Sequence, residues 1–255
     1  MVSYYEDVKA SLDGVALHNN GGYGLSIRAY DGDIDATLRN MSVIDNYDDG
    51  IYLEAERNIY ANLSNIAAHG NYYAILLDQN SYGGKVETTM RHIDASDNGD
   101  GINIFAYGDV SALLENIVAD DTYDGLYIST DGNVDVTLSG FRSVASSHGT
   151  RVFGNDIVVD FEDVKVRNND YDGTHLYGEG SVSFYLQNVT ASGNGGRGVQ
   201  IEGYYGDISG TLKDVIANDN GETGIWIYNH TGTSTVNLDN VNASGNGIDD
   251  ILITP

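Results

Sequence analysis

Residues 194–201 read Asn-Gly-Gly-Arg-Gly-Val-Gln-Ile, and residues 220–227 read Asn-Gly-Glu-Thr-Gly-Ile-Trp-Ile. Both follow Asn-x-x-x-Gly-apolar-x-apolar. In each, a turn-forming asparagine leads through glycine into alternating apolar residues, the pattern of a short strand with one buried side. The same grammar recurs along the whole chain. A large apolar residue closes an alternating run at Leu12, Leu38, Leu63, Met90, Leu114, Leu138, Phe161, Leu186, Leu212 and Leu238, at intervals of 23 to 27 residues. Three positions after each stands a further apolar residue, from Val15 to Val241. Eight positions after the anchor stands Asn20, Asn46, Asn71, Asn98, Asn169, Asn194, Asn220 or Asn246, with Thr122 and Ser146 in the two remaining slots. Helical spacing appears nowhere.

The chain has 255 residues, 38 acidic against 12 basic, for a formal charge of −26. A field of that sign repels phosphate backbones and anionic lipid, so no nucleic-acid partner is expected. Cysteine is absent, which excludes disulfides and thiolate metal sites. No apolar run approaches the roughly 20 residues of a spanning helix, so no membrane insertion is expected. Glycine, at 32 residues, and aspartate suit tight turns and disfavour helices. Tyrosine outnumbers phenylalanine by 19 to 5, which favours aromatic rings with one wet edge.

A period near 25 carrying Asn-x-x-x-Gly-apolar-x-apolar resembles the right-handed parallel β-helix repeat proteins, the pectin-lyase-like group. The expected fold is all-β: one right-handed parallel β-helix over residues 1–255, of about ten coils with some 25 residues each. A unit of this size cannot bury its apolar face alone, so coils must stack, and at ~4.8 Å per coil they form a rod about 48 Å long. A leucine-rich repeat would need a different spacing before the asparagine and usually a helix after it. Propeller blades are longer, about 40–50 residues. The eight asparagines are expected to form one hydrogen-bonded row between coils. Both ends enter a coil with no capping segment, so the chain is read as a segment of a longer repeat protein. Exposed strand edges then make neighbouring β-helix segments or end-to-end self-association the expected contacts.

Three surface features could carry chemistry. The residue before the strand-entry glycine, or its equivalent, forms a column that includes Asp100, Asp124, His148, Asp172 and Arg197. Neighbouring like charges there fit a solvated corner, a calcium ion held by Asp100 and Asp124, or a catalytic group of Asp124, His148 and Asp172. Pectin-degrading hydrolases of the resembled group carry a paired aspartate, then His-Gly, then arginine on successive coils. Asp120-Asp121, His148-Gly149 and Arg151 are similar. The preceding Asn-Thr-Asp and the Arg-Ile-Lys of that pattern are missing, and Arg151 shares a coil with His148. Finally, Tyr47, Tyr72 and Tyr123 share one slot after the asparagine column, with Tyr171 close to it, and make a candidate glycan-binding stripe. Every coil stays within 23 to 27 residues, so no long loop builds a cleft.

These observations favour a structural or binding β-helix module of a secreted or cell-surface protein, such as a spacer, adhesin or fibre unit. Polysaccharide is its expected partner and calcium its one candidate cofactor. The alternative is a polysaccharide hydrolase, lyase or epimerase centred near Asp124, His148 and Asp172.

Overall fold

The structure is a computed structural model that describes residues 1–254. Among the described residues there is no helix, and every paired strand is parallel to its neighbours in one of two sheets. The first sheet has eleven strands. It opens with Val2–Ser3 and continues through Leu25–Ala29, Ile51–Ala55, Tyr73–Gln79, Asp100–Ala106, Asp124–Thr130, His148–Gly154, Thr174–Gly178, Val199–Gly203, Ile225–Asn229 and Ile251–Thr254. The second sheet has twelve strands, three of which, Ile34–Ile44, Ile59–His69 and Val134–Val144, run for eleven residues. Each coil contributes to both sheets, so the chain forms a β-solenoid of about ten turns.

The anchors stand in register from coil to coil: Leu12 faces Leu38, Leu38 faces Leu63, and so on through Met90, Leu114 and Phe161 to Leu238. Inward residues of both sheets meet in a single apolar cluster. Eight of the ten anchors are fully enclosed, while Leu12 is half-buried and Leu238 is 41% exposed. The outermost anchors are less covered because only one side of each has a neighbouring coil to cover the side chain.

Two corners of each coil are left-handed backbone. One lies two residues after the anchor, at Gly14, Asn40, Asn65, His92, Asn116, Gly140, Asp163, Asn188, Asp214 and Asn240. The other lies seven residues after it, at Asn19, Asp45, Gly70, Asp97, Asp121, Ala145, Asn168, Gly193, Asp219 and Gly245. Positive φ is costly for most L-residues and tolerated best by Gly, Asn and Asp. Eighteen of these twenty positions carry one of the three; His92 and Ala145 are the exceptions. Six aspartates and seven asparagines are thus placed by backbone geometry at these corners.

Beside the second corner runs the asparagine row. Asn20 Nδ2 donates to Asn46 Oδ1 at 2.7 Å, Asn46 to Asn71 at 2.9 Å, and Asn71 to Asn98 at 3.0 Å. Thr122 and Ser146 interrupt the amides with hydroxyls 3.2 Å apart, and Ser146 N–H resumes the row by donating to Asn169 Oδ1. From Asn169 through Asn194 and Asn220 to Asn246 the amides link again at 3.0–3.1 Å. From Asn46 onward each amide also accepts a backbone N–H from the coil before, which would otherwise be buried without a partner.

Candidate functional site

On the first sheet, residues alternate between the shared interior and an outer face. One outward row runs Tyr52, Leu76, Asn103, Tyr127, Arg151, His175, Gln200, Trp226, in register across successive coils. The next runs Glu54, Asp78, Phe105, Ser129, Phe153, Tyr177, Glu202, Tyr228. Rings from the two rows meet in a zigzag: Phe105 to Tyr127 at 5.4 Å, Tyr127 to Phe153 at 5.6 Å, and Phe153 to His175 at 5.0 Å. The face is bordered by turns carrying Tyr47, Tyr72, Tyr123 and Tyr171 before the strands, and Tyr30, Tyr107 and Tyr204 after them.

The middle coils place Asp124, His148 and Arg151 together. The Arg151 guanidinium pairs with the Asp124 carboxylate and lies 4.5 Å from the Tyr127 ring centre. His148 Nδ1 is 3.4 Å from Asp124 Oδ1. The His148 ring stacks on Tyr171 at 4.9 Å and meets the edge of Tyr123 at 5.8 Å. Asp100, one coil earlier, accepts the Asp124 N–H at 3.1 Å. Burial pushes the Asp100 carboxyl up to about 6, against the lowering effect of that hydrogen bond, with the neighbouring Asp124 charge adding to the rise. Asp49, farther along the same column, is pushed up to about 6 mainly by burial. Asn103 Oδ1, Asp124 Oδ1, His148 Nδ1 and Arg151 Nε are all buried without a well-directed hydrogen bond.

A second network occupies later coils. Arg197 lies 4.1 Å from the Trp226 ring centre, donates to Gln200 Oε1 at 2.8 Å and pairs with Glu222 at 3.4 Å. Gln200 and His175 both engage Glu202. Burial works to raise the Glu202 carboxyl, but these two contacts outweigh it and hold the group below its ordinary value. Near the first coils, Arg28 lies over Tyr23 and Tyr52 at 5.3 and 5.0 Å and pairs with Glu54 at 3.1 Å.

Of the expected catalytic group, Asp124 and His148 are brought together, but Asp172 is directed elsewhere: its Oδ1 accepts the Arg197 backbone N–H at 2.7 Å. Nor is Asp124 a free carboxylate, since it is 2% exposed and covered by Arg151. The paired Asp120-Asp121 does not face this cluster. Asp121 is one of the left-handed corner residues, and Asp120 pairs with Arg142 at 2.7 Å while accepting the Val144 N–H. Asp100 and Asp124 are the residues expected to hold calcium, an ion that takes six to eight oxygens. Among the described residues no three His, Asp or Glu side chains converge as a metal site, and Asp124 already faces a guanidinium instead of leaving its charge for a cation beside Asp100. Tyr47, Tyr72, Tyr123 and Tyr171 are all exposed in one turn column. Arg197 stood in the expected outward column, but its partners Gln200 and Trp226, and the linked Glu202, were not singled out from the sequence, because contacts such as Arg197–Trp226 and His175–Glu202 join adjacent coils. Their signal was a pair of adjacent strands whose outward positions carry Gln, Glu and Trp together, on coils where the second sheet carries mainly Ser and Thr outward.

The second sheet offers a shallow depression of about 580 Å³ lined by Asp35, Thr37, Tyr60, Asn62, Glu87, Thr89, Ser111 and Asp135 among others. Lys85 pairs with Glu87 and lies 5.4 Å from the Tyr60 ring centre there, with both ionic side chains more open to water than Asp124 and Arg151 on the first sheet.

Residues 27–189 match the family described as right-handed β-helix region. No curated protein and no solved structure matches the chain.

Proposed function

The chain belongs to the right-handed β-helix family, and from that premise we propose that it is a glycan-binding module acting outside the cell, with the border and outer face of the first sheet as its binding surface. One observation carries this reading: Tyr123 and Tyr171, 52% and 56% exposed, bracket His148 directly beside the Asp124–Arg151 pair. Exposed flat rings with hydroxyls suit the apolar faces of pyranoses, and fixed carboxylates and guanidinium groups suit their hydroxyls. Removing both rings tests it. Tyr123→Ala/Tyr171→Ala should abolish retention on insoluble polysaccharides while leaving the melting temperature nearly unchanged, and unaltered retention would refute the reading.

A second reading, polysaccharide cleavage, is favoured by Asp100, whose carboxyl near 6 is suited to proton donation beside the paired Asp124. It requires turnover that disappears in Asp100→Asn. Glycan binding without product release across a polysaccharide panel would eliminate it.

A further inference from the structure

The spacing of the border tyrosines and the charge of the face they edge narrow the ligand to one kind of chain. Tyr123 N–H donates to Gly99 O, and Asp100 N–H donates to Tyr72 O, so the coil carrying Gly99 lies between those of Tyr72 and Tyr123. Likewise Tyr171 N–H donates to Ser147 O, and His148 N–H to Tyr123 O, which puts the Ser147 coil between Tyr123 and Tyr171. From Tyr72 to Tyr171 this slot carries an exposed ring on every second coil, with Gly99 and Ser147 in the slots between, while Tyr47 stands on the coil before Tyr72, outside that alternation. Two coils advance about 9.6 Å along the rod. An extended β-linked pyranose chain of two-fold form turns the same sugar face outward at every second residue, with a repeat close to that length.

The charges exclude the acidic members of that class. Each arginine on the first sheet already has its own carboxylate: Arg28 with Glu54, Arg151 with Asp124, and Arg197 with Glu222. No guanidinium there is left to receive a uronate, and the chain as a whole carries −26. Sugar hydroxyls both donate and accept, so they suit carboxylate-rich surroundings that repel an acceptor-only group.

We infer that the ligand is a neutral, extended, β-linked glycan lying parallel to the rod axis, with alternate sugars on Tyr72, Tyr123 and Tyr171. This rests on the glycan-binding reading and goes beyond it in naming linkage geometry, charge and direction. Sugars 1, 3 and 5 of a pentasaccharide would meet the three rings, spaced over about 19 Å.

The test is calorimetric titration of the whole chain with cello-oligosaccharides from the trimer to the pentamer, alongside a β-1,3-glucan and polygalacturonate. Cellopentaose should bind at least about tenfold more tightly than cellotriose, a step of 1.4 kcal/mol. The gain should come mainly on reaching five sugars, and Tyr72→Ala should erase it while leaving the trimer's affinity within about twofold. Polygalacturonate should bind more weakly than cellopentaose at every salt concentration. Tyrosine-dependent binding that prefers the β-1,3-glucan or polygalacturonate, or that rises smoothly with length in Tyr72→Ala, would overturn this inference and leave the glycan-binding reading standing. Absence of binding to any of these glycans, together with no tyrosine-dependent retention on polysaccharides, would overturn both.

Discussion

Strands of the second sheet such as Ile157–Glu162 alternate strictly between buried and exposed residues, whereas Tyr73–Gln79 and Asp100–Ala106 of the first sheet are buried or half-buried on both sides. The interior behind them is common to both. The difference lies in what stands outside: on the first sheet large rings and ion pairs cover one another, while the second carries more Ser, Thr and Asp in water and its ion pairs, such as Lys85–Glu87 and Arg91–Glu115, are more exposed. Ion pairs show the same contrast. Lys9 and Asp35 on the second sheet approach to 3.9 Å with side chains 80% and 58% exposed, while Asp124 and Arg151 on the first are 3% and 20% exposed. A repeat architecture satisfies its stability requirements in the interior, and elaboration of one outer face alone marks that face as the place where something other than folding has shaped the residues.

The largest expected effect breaks the buried pair. Asp124→Asn leaves the Arg151 charge enclosed without its partner and should cost about 3–5 kcal/mol in denaturant unfolding, whereas Lys9→Ala on the opposite sheet should stay within about 0.5 kcal/mol. Equal effects would erase the distinction between the faces. A cavity in the shared interior should be blind to it: Leu114→Ala behind the second sheet and Ile128→Ala behind the first should each cost about 2–5 kcal/mol.

Acid titration gives a smaller and sign-specific contrast. Asp49 and Asp100 on the first sheet sit near 6 when folded against 3.8 as the reference, so the native state binds more protons between those values. Stability contributed by these groups therefore rises as pH falls from about 6 toward 4 and is lost as pH climbs back. Asp7 and Asp207, in turns leading into the second sheet, are held below 3.8 mainly by backbone N–H donors from Asp33 and Thr233. Their contribution is present above the reference value and is lost only as pH drops below it. Melting curves of Asp49→Asn/Asp100→Asn should lose the gain between pH 6 and 4 and keep the loss at lower pH. A pH profile identical to the parent would contradict the burial assigned to the first sheet. The smallest effect belongs to neither face: Ala145 holds φ 59 at a corner where its counterparts are Gly, Asn or Asp, and Ala145→Gly should stabilise the rod by about 1 kcal/mol.

The anchor column from Leu12 to Leu238 and the asparagine row were legible because each contact repeats at the sequence period itself, so register can be counted along the chain. The two left-handed corners were also present as Asn, Asp or Gly two and seven residues after most anchors, but an aspartate at a corner reads as chemistry until φ shows it to be geometry. Asp121 is the clearest case, a corner residue that resembled half of a catalytic pair.

What the sequence determined by itself was therefore everything that follows from periodicity: an all-β solenoid, about ten coils, an interior of branched aliphatics, and tyrosines gathered in one turn column. Only the tertiary structure decided which outward groups meet. Arg151 reaches back 27 residues to Asp124, Asp172 turns instead to the backbone of Arg197, and Gln200 links His175 to Glu202. The reason is physical. Stacking brings residues one coil apart to within about 5 Å, and at that distance the length and rotamer of each side chain, which no repeat specifies, choose its partner.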